Sequence, residues 1–131
     1  MTGIDTNVLV RFLTEDDPVQ AERAAQFIET LTTRGERAYI SPIVLCELSW
    51  VLRGAYRVTK AEFLTTLDRL LAAVQFVIGD KDMVRDAIAA YRVGRADFAD
   101  YMIGAEHQAA ECTRTLTFDR RLRGERGFQL L

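Results

Sequence analysis

Short β-like runs alternate with helix-patterned stretches along this chain. The runs are an apolar lead-in over residues 2–5, Ala38-Tyr39-Ile40, Phe76-Val77-Ile78, Thr113 to Phe118, and Phe128 to Leu130. Strands separated by helices pair most simply as parallel neighbours joined by crossovers, so the alternation predicts an α/β sandwich with a short, mainly parallel central sheet. Such sheets bind ligands outside the carboxyl ends of their strands. Asp5 and Asp119 each stand at the end of a predicted strand. At 131 residues the chain is long enough for one good core and too short for two, which predicts a single domain over residues 1–131.

The intervening stretches carry their own start and stop signals. Asp17-Pro18 is an N-cap followed by proline in the first turn, and Ala21, Ala24, Ala25, Ile28 and Leu31 follow at helical spacing up to Gly35. Ser41-Pro42 opens a second such helix with a stripe of Val44, Leu48, Val51 and Ala55, which puts Glu47 inside a helix. Thr59 and Glu62 have capping-box spacing, ahead of a stripe of Phe63, Leu67, Leu70, Leu71 and Val74. Asp80 is placed to cap a helix reaching about Tyr91. Asp97 opens another that reaches about Glu111.

Composition narrows the chemistry. One histidine, His107, and two serines, Ser41 and Ser49, leave little for histidine triads or zinc sites. Cys46 and Cys112 are far apart in apolar, helix-like segments, which suits buried thiols in a reducing compartment. The N-terminus has an acid where a signal peptide would be basic, and no apolar run approaches the length of a membrane span, so a soluble cytoplasmic protein is expected. The reactive groups must be carboxylates, cations or backbone.

Five acids lie in or beside apolar segments: Asp5, Glu47, Asp97, Asp100 and Asp119. Glu15, Asp16, Glu29, Glu36, Asp68, Asp82, Asp86 and Glu125 fall in polar surroundings and read as solvated surface. Each of the five has a structural explanation available, since Asp5 and Asp97 could cap a helix, Asp119 could cap a turn, and Asp100 could complete a capping box. Glu47, between Cys46 and Leu48, is the hardest to explain that way. If the acids meet about 5 Å apart, each ionised pair repels by roughly 3 kcal/mol at an effective dielectric of 20. A cluster of that kind persists by taking up protons or binding a cation. All-oxygen ligands select a hard ion, Mg²⁺ or Mn²⁺, whose usual chemistry with carboxylates is phosphoryl transfer or phosphodiester hydrolysis.

Asp5-Thr6-Asn7-Val8-Leu9, the helical Glu47 after Ser41-Pro42, the run Arg95-Ala96-Asp97-Phe98-Ala99-Asp100-Tyr101-Met102-Ile103, and Thr115-Leu116-Thr117-Phe118-Asp119 together resemble PIN-domain ribonucleases. More narrowly they resemble the VapC toxins of bacterial type II toxin–antitoxin pairs. The resemblance runs through nearly the whole chain and is carried by the ordered set of motifs rather than by any one. It implies a PIN-like three-layer α/β/α sandwich and Mg²⁺-dependent endoribonuclease activity. It assigns Asp5, Glu47, Asp100 and Asp119 as the catalytic, metal-binding quartet. Asp97 is either an additional metal or water contact or only a helix cap. Thr6, Asn7 and Thr117 match supporting polar positions. A cognate VapB-like antitoxin and a homodimer are implied as partners, alongside the RNA substrate.

On this reading a carboxylate-held ion positions and activates water against an RNA phosphodiester. Arg11, Arg95, Arg120 and Arg121 are candidates to hold flanking phosphates. Val8, Leu9, Val10, Phe12, Leu13 and the off-stripe Trp50 are candidates either for interface surface or for extra core contacts. Two rivals stand beside it. A haloacid-dehalogenase-like phosphatase also begins with Asp after a strand, but that family wants a second Asp where this chain has Asn7. A non-catalytic binding module would use the acids as caps. The net charge of -2 does not oppose an RNA substrate, because setting the five acids aside leaves 14 acidic residues against 17 Lys+Arg.

Overall fold

The β-like runs do form strands, and every strand pair is parallel. All 131 residues are described by the computed structural model, in two compact units, Met1–Gly79 and Asp80–Leu131. In the first unit the order is β1 (Thr2–Gly3), α1 (Thr6–Leu13), α2 (Pro18–Thr33), β2 (Ala38–Ile40), α3 (Pro42–Trp50), a π turn (Val51–Ala55), α4 (Lys60–Ala72) and β3 (Phe76–Ile78). The sheet runs β1-β2-β3, with Thr2 opposite Ala38 and Ala38 opposite Phe76. An Ile4 N–H to Tyr39 carbonyl bond of 3.0 Å extends the first pairing one step toward Asp5.

Side chains fix the helix starts as their sequences require. Asp17 accepts from the Gln20 N–H and Ser41 from the Val44 N–H. Thr59 and Glu62 cap each other reciprocally at 3.1 Å, satisfying amides that have no intrahelical partner. Leu9, Ile40, Leu45, Leu48, Phe63 and Leu67 are almost completely buried and form the core of this unit. Phe12 stands edge-on to Phe76 with ring centres 5.6 Å apart, an arrangement that suits the aromatic quadrupole.

Two expectations about this unit are corrected, and a choice left open by the sequence is decided. The α3 stripe does not continue through Val51 and Ala55: the π turn inserts extra backbone into the helical repeat, so Leu52 is buried while Ala55 is exposed. Val74 is 78% exposed because α4 ends at Ala72 and Ala73 is extended, which takes Val74 out of the helical spacing. Leu9 and Val10 are core and Val8, Phe12 and Leu13 half-buried, so the surplus apolar surface of α1 goes mostly to extra core contacts, one of the two readings open from the sequence.

The second unit contains α5 (Lys81–Val93), α6 (Phe98–Ala109), β4 (Thr115–Thr117), a 3₁₀ turn (Arg120–Leu122) and β5 (Phe128–Leu130). The helices pack on each other, and β4 pairs with β5 from Thr115 opposite Phe128 to Thr117 opposite Leu130. Val84 and Phe98 are essentially buried, with Tyr91 and Tyr101 close behind. Gly104 of α6 admits the Phe128 ring so closely that a Cβ there would stand 2.6 Å from it. Asp80 does not cap α5 with its side chain. Its backbone is left-handed (φ 47°), a conformation in which the side chain makes no bond to the first helical amides. Cys112 is exposed and Cys46 half-buried, because the α6 pattern stops at Ala109, short of Cys112.

Candidate active site

The second unit brings three of the five candidate acids onto one arginine. Asp119 comes just after β4 and caps the 3₁₀ turn, its Oδ1 accepting the Arg121 N–H at 2.9 Å. This tight turn folds the Arg121 side chain back over the acid that starts it. Nε lies 3.1 Å from both carboxylate oxygens of Asp119, and Nη2 lies 2.7 Å from Oδ2. The far side of the same guanidinium reaches the start of α6, with Nη1 3.3 Å from Asp97 Oδ1 and Nη2 3.4 Å from Asp97 Oδ2. Asp100 Oδ2 is 3.8 Å from Nη2.

Helix geometry explains why Asp97 and Asp100 face one cation. Asp97 is the N-cap of α6 and Asp100 sits three residues on, at the same edge of the first turn. The Asp97 N–H donates to Asp100 Oδ2 at 3.0 Å, which points that carboxylate back over the helix start. The Asp97 carboxylate, 62% exposed, completes the capping box with Asp100 and also meets Arg121. Thr117 supports the third acid, its hydroxyl oxygen accepting the Asp119 N–H at 3.0 Å.

The protonation behaviour is set by this placement. Burial pushes the Asp100 carboxyl up, against the pull of the Asp97 amide, and the neighbouring charges of Asp97 and Asp119 push the same way. Asp119 is held low by hydrogen bonds from the Arg121 side chain and backbone. Arg121 itself is raised, first by Asp119 and then by Asp97. One guanidinium thus partly neutralises three acids.

The remaining candidates lie in the first unit. Asp5 is exposed at the end of β1 and caps α1, its Oδ1 accepting the Val8 N–H at 2.9 Å. Thr6 is buried beside it and Asn7 exposed. Asp5, Asn7, Val8, Arg11, Arg23 and Phe27 line a cleft of about 780 Å³. Glu47 is exposed on α3, contrary to the buried surroundings its apolar neighbours suggest, because it shares the outward face with Ile43 and Trp50, 72% and 60% exposed. Arg11 is not free to meet a phosphate: it bonds Asp16 at 3.1 Å, Gln20 at 2.8 Å and the Tyr56 hydroxyl at 3.3 Å. Arg95 and Arg120 are exposed.

As the side chains stand, no three His, Cys, Asp or Glu groups converge as a ready cation site. The chemistry of the donor set nevertheless fits a hard divalent ion. Asp97, Asp100 and Asp119 offer oxygen donors alone beside one guanidinium, and neither His107 nor a cysteine is among them. Sequence reading missed two supporting partners. Asp16, exposed as expected, accepts from Tyr56 at 2.6 Å, and Glu125, read as solvated surface, is half-buried and accepts from Tyr101 at 3.2 Å. Phe118, next to Asp119, is a third feature the sequence did not single out, and it is 80% exposed.

Residues 4–124 match the family described as the PIN domain. A VapC ribonuclease of Aquifex aeolicus (strain VF5) is 25% identical over 123 residues, which cover 94% of this chain and 90% of that protein.

Proposed function

From the premise that this chain belongs to the PIN domain family, we propose that it is a divalent-metal-dependent endoribonuclease of the VapC toxin type. The carrying observation is the gathering of Asp97, Asp100 and Asp119 on one guanidinium at the end of β4 and the start of α6. Asp5, Glu47, Asp100 and Asp119 are the residues that would hold Mg²⁺ or Mn²⁺, with Asp97 as a further contact. The bound ion would lower the pKa of water and offset the charge developing on the phosphate.

The chain's own groups supply the rest. Thr117 fixes the backbone of Asp119, and the Asp97 amide fixes the orientation of Asp100. In the cleft beside Asp5, Arg23 is exposed and offers a guanidinium to a passing phosphate.

The proposal extends to partners and location. The outward face of α3, with Ile43 and Trp50 flanking Glu47, carries exposed apolar surface of the kind a VapB-like antitoxin or a second toxin copy would cover. No helix is long and apolar enough to cross a membrane. An RNA substrate and reduced cysteines fit the cytoplasm.

The test is cleavage of single-stranded RNA by purified protein with Mg²⁺ or Mn²⁺, repeated with chelator and with Asp5→Asn. Cleavage with metal, lost in both controls, is expected. Cleavage that survives both would belong to a contaminant and would overturn the assignment.

A further inference from the structure

Arg121 is placed in a way the proposed hydrolysis does not by itself require. Its guanidinium makes hydrogen bonds to both oxygens of Asp119 and both of Asp97, and stands 3.8 Å from Asp100. Those are oxygens that a cation at the same acids would need. A guanidinium and a divalent ion compete for them, because they draw on the same oxygens and because like charges at that separation repel.

Two features make the contact exchangeable rather than permanent. The Arg121 side chain is 48% exposed and Asp97 62%, so water screens the pair and can replace either partner. The backbone is anchored independently of the guanidinium, through the Arg121 N–H to Asp119 Oδ1 and the 3₁₀ turn itself. The side chain can therefore leave the acids while its root stays beside them. A guanidinium tethered there and released meets the next available oxyanion, and a phosphate takes the same two-pronged hydrogen bonding as a carboxylate.

We infer that Arg121 is an exchangeable arm, a counter-ion that holds Asp97, Asp100 and Asp119 together in the metal-free protein and turns to an RNA phosphate once a divalent cation occupies those acids. The inference rests on the metal-dependent ribonuclease reading above and assigns Arg121 as a positioning residue in it. It makes the apo protein partly self-neutralised at the site, and it couples metal entry to phosphate binding through one side chain.

The experiment pairs Mn²⁺ calorimetry, without RNA, with anisotropy of a labelled phosphorothioate RNA that resists hydrolysis. The proteins are the full chain, Arg121→Gln and Arg121→Lys. Arg121→Gln should bind Mn²⁺ about fivefold tighter than the parent, a change of the size an exposed ion pair supports. It should bind the RNA more weakly in Mn²⁺ and equally well in chelator, where the arm is engaged by the acids. Arg121→Lys, which keeps the charge and loses the fork, should bring Mn²⁺ affinity back toward the parent without restoring RNA binding. Equal Mn²⁺ affinity in the parent and Arg121→Gln would overturn the counter-ion role while leaving the metal reading intact. Loss of RNA affinity in chelator as large as in Mn²⁺ would overturn the exchange. Absence of Mn²⁺ binding in every protein would overturn this inference and the metal reading together.

Discussion

Asp100 concentrates the conflict at the residue scale. Its carboxylate is partly desolvated, faces Asp97 and Asp119, and still carries a structural bond to the Asp97 amide. Asparagine keeps an acceptor for that amide and removes the charge. In chelator Asp100→Asn should therefore melt a few degrees above the parent, while the rise in Tm that Mn²⁺ gives the parent should vanish. A lower melting temperature in chelator would show that the charge contributes to folding. The position of Asp100 was legible in the sequence, because three-residue spacing at a helix start puts it beside Asp97, and Asp119 was legible as a strand end. The engagement of Arg121 was not, since it depends on how tightly the 3₁₀ turn folds back. Glu125 was misread for a different reason: its partner Tyr101 is 24 residues away, beyond any local pattern.

At the scale of elements, the start of α6 is set by a tyrosine within that helix. The Tyr101 hydroxyl accepts the buried Ala96 N–H at 3.2 Å and donates to Glu125 at 3.2 Å, and it passes so close to Gly94 that any side chain there would collide with it. This ties the end of α5, the entry to α6 and the segment before β5 at one oxygen. Tyr101→Phe leaves the ring packed on Phe128 and Tyr91 but strands the Ala96 amide. The expected loss is about 1 to 3 kcal/mol, read as a lower urea midpoint with unchanged slope. Element types were well indicated by periodicity and capping residues. The departures came from backbone events with weak sequence signals: the π turn after Trp50, the left-handed Asp80 and the early end of α4.

For the molecule as a whole, the shifted carboxylates set its response to acid. Asp16 is held low chiefly by the Tyr56 hydroxyl, Glu62 by hydrogen bonds from Thr59, and Asp119 by Arg121. For each, the unfolded chain takes up its proton first as pH falls past the ordinary values of 3.8 or 4.5, so their stabilising contribution is lost below that range. Asp100 has the opposite sign: its proton binds the folded state first, and its contribution declines as pH rises through its raised pKa. Three depressed groups against one raised group predict that the urea midpoint in chelator falls between about pH 5 and pH 3. A midpoint that rises over that interval would mean that Asp100 outweighs the other three.

The parallel pairings also differ in what they ask of a chain that has not yet folded. Joining Thr2 to Ala38, or Ala38 to Phe76, closes a loop of roughly 36 to 38 residues, whereas joining Thr115 to Phe128 closes one of roughly 13. The shorter closure costs about 0.9 kcal/mol less chain entropy. Asp119 and Arg121 both lie within that small loop. Arg121 stands only two residues from Asp119, so the charge on Asp119 has a partner close at hand before any strand ladder closes.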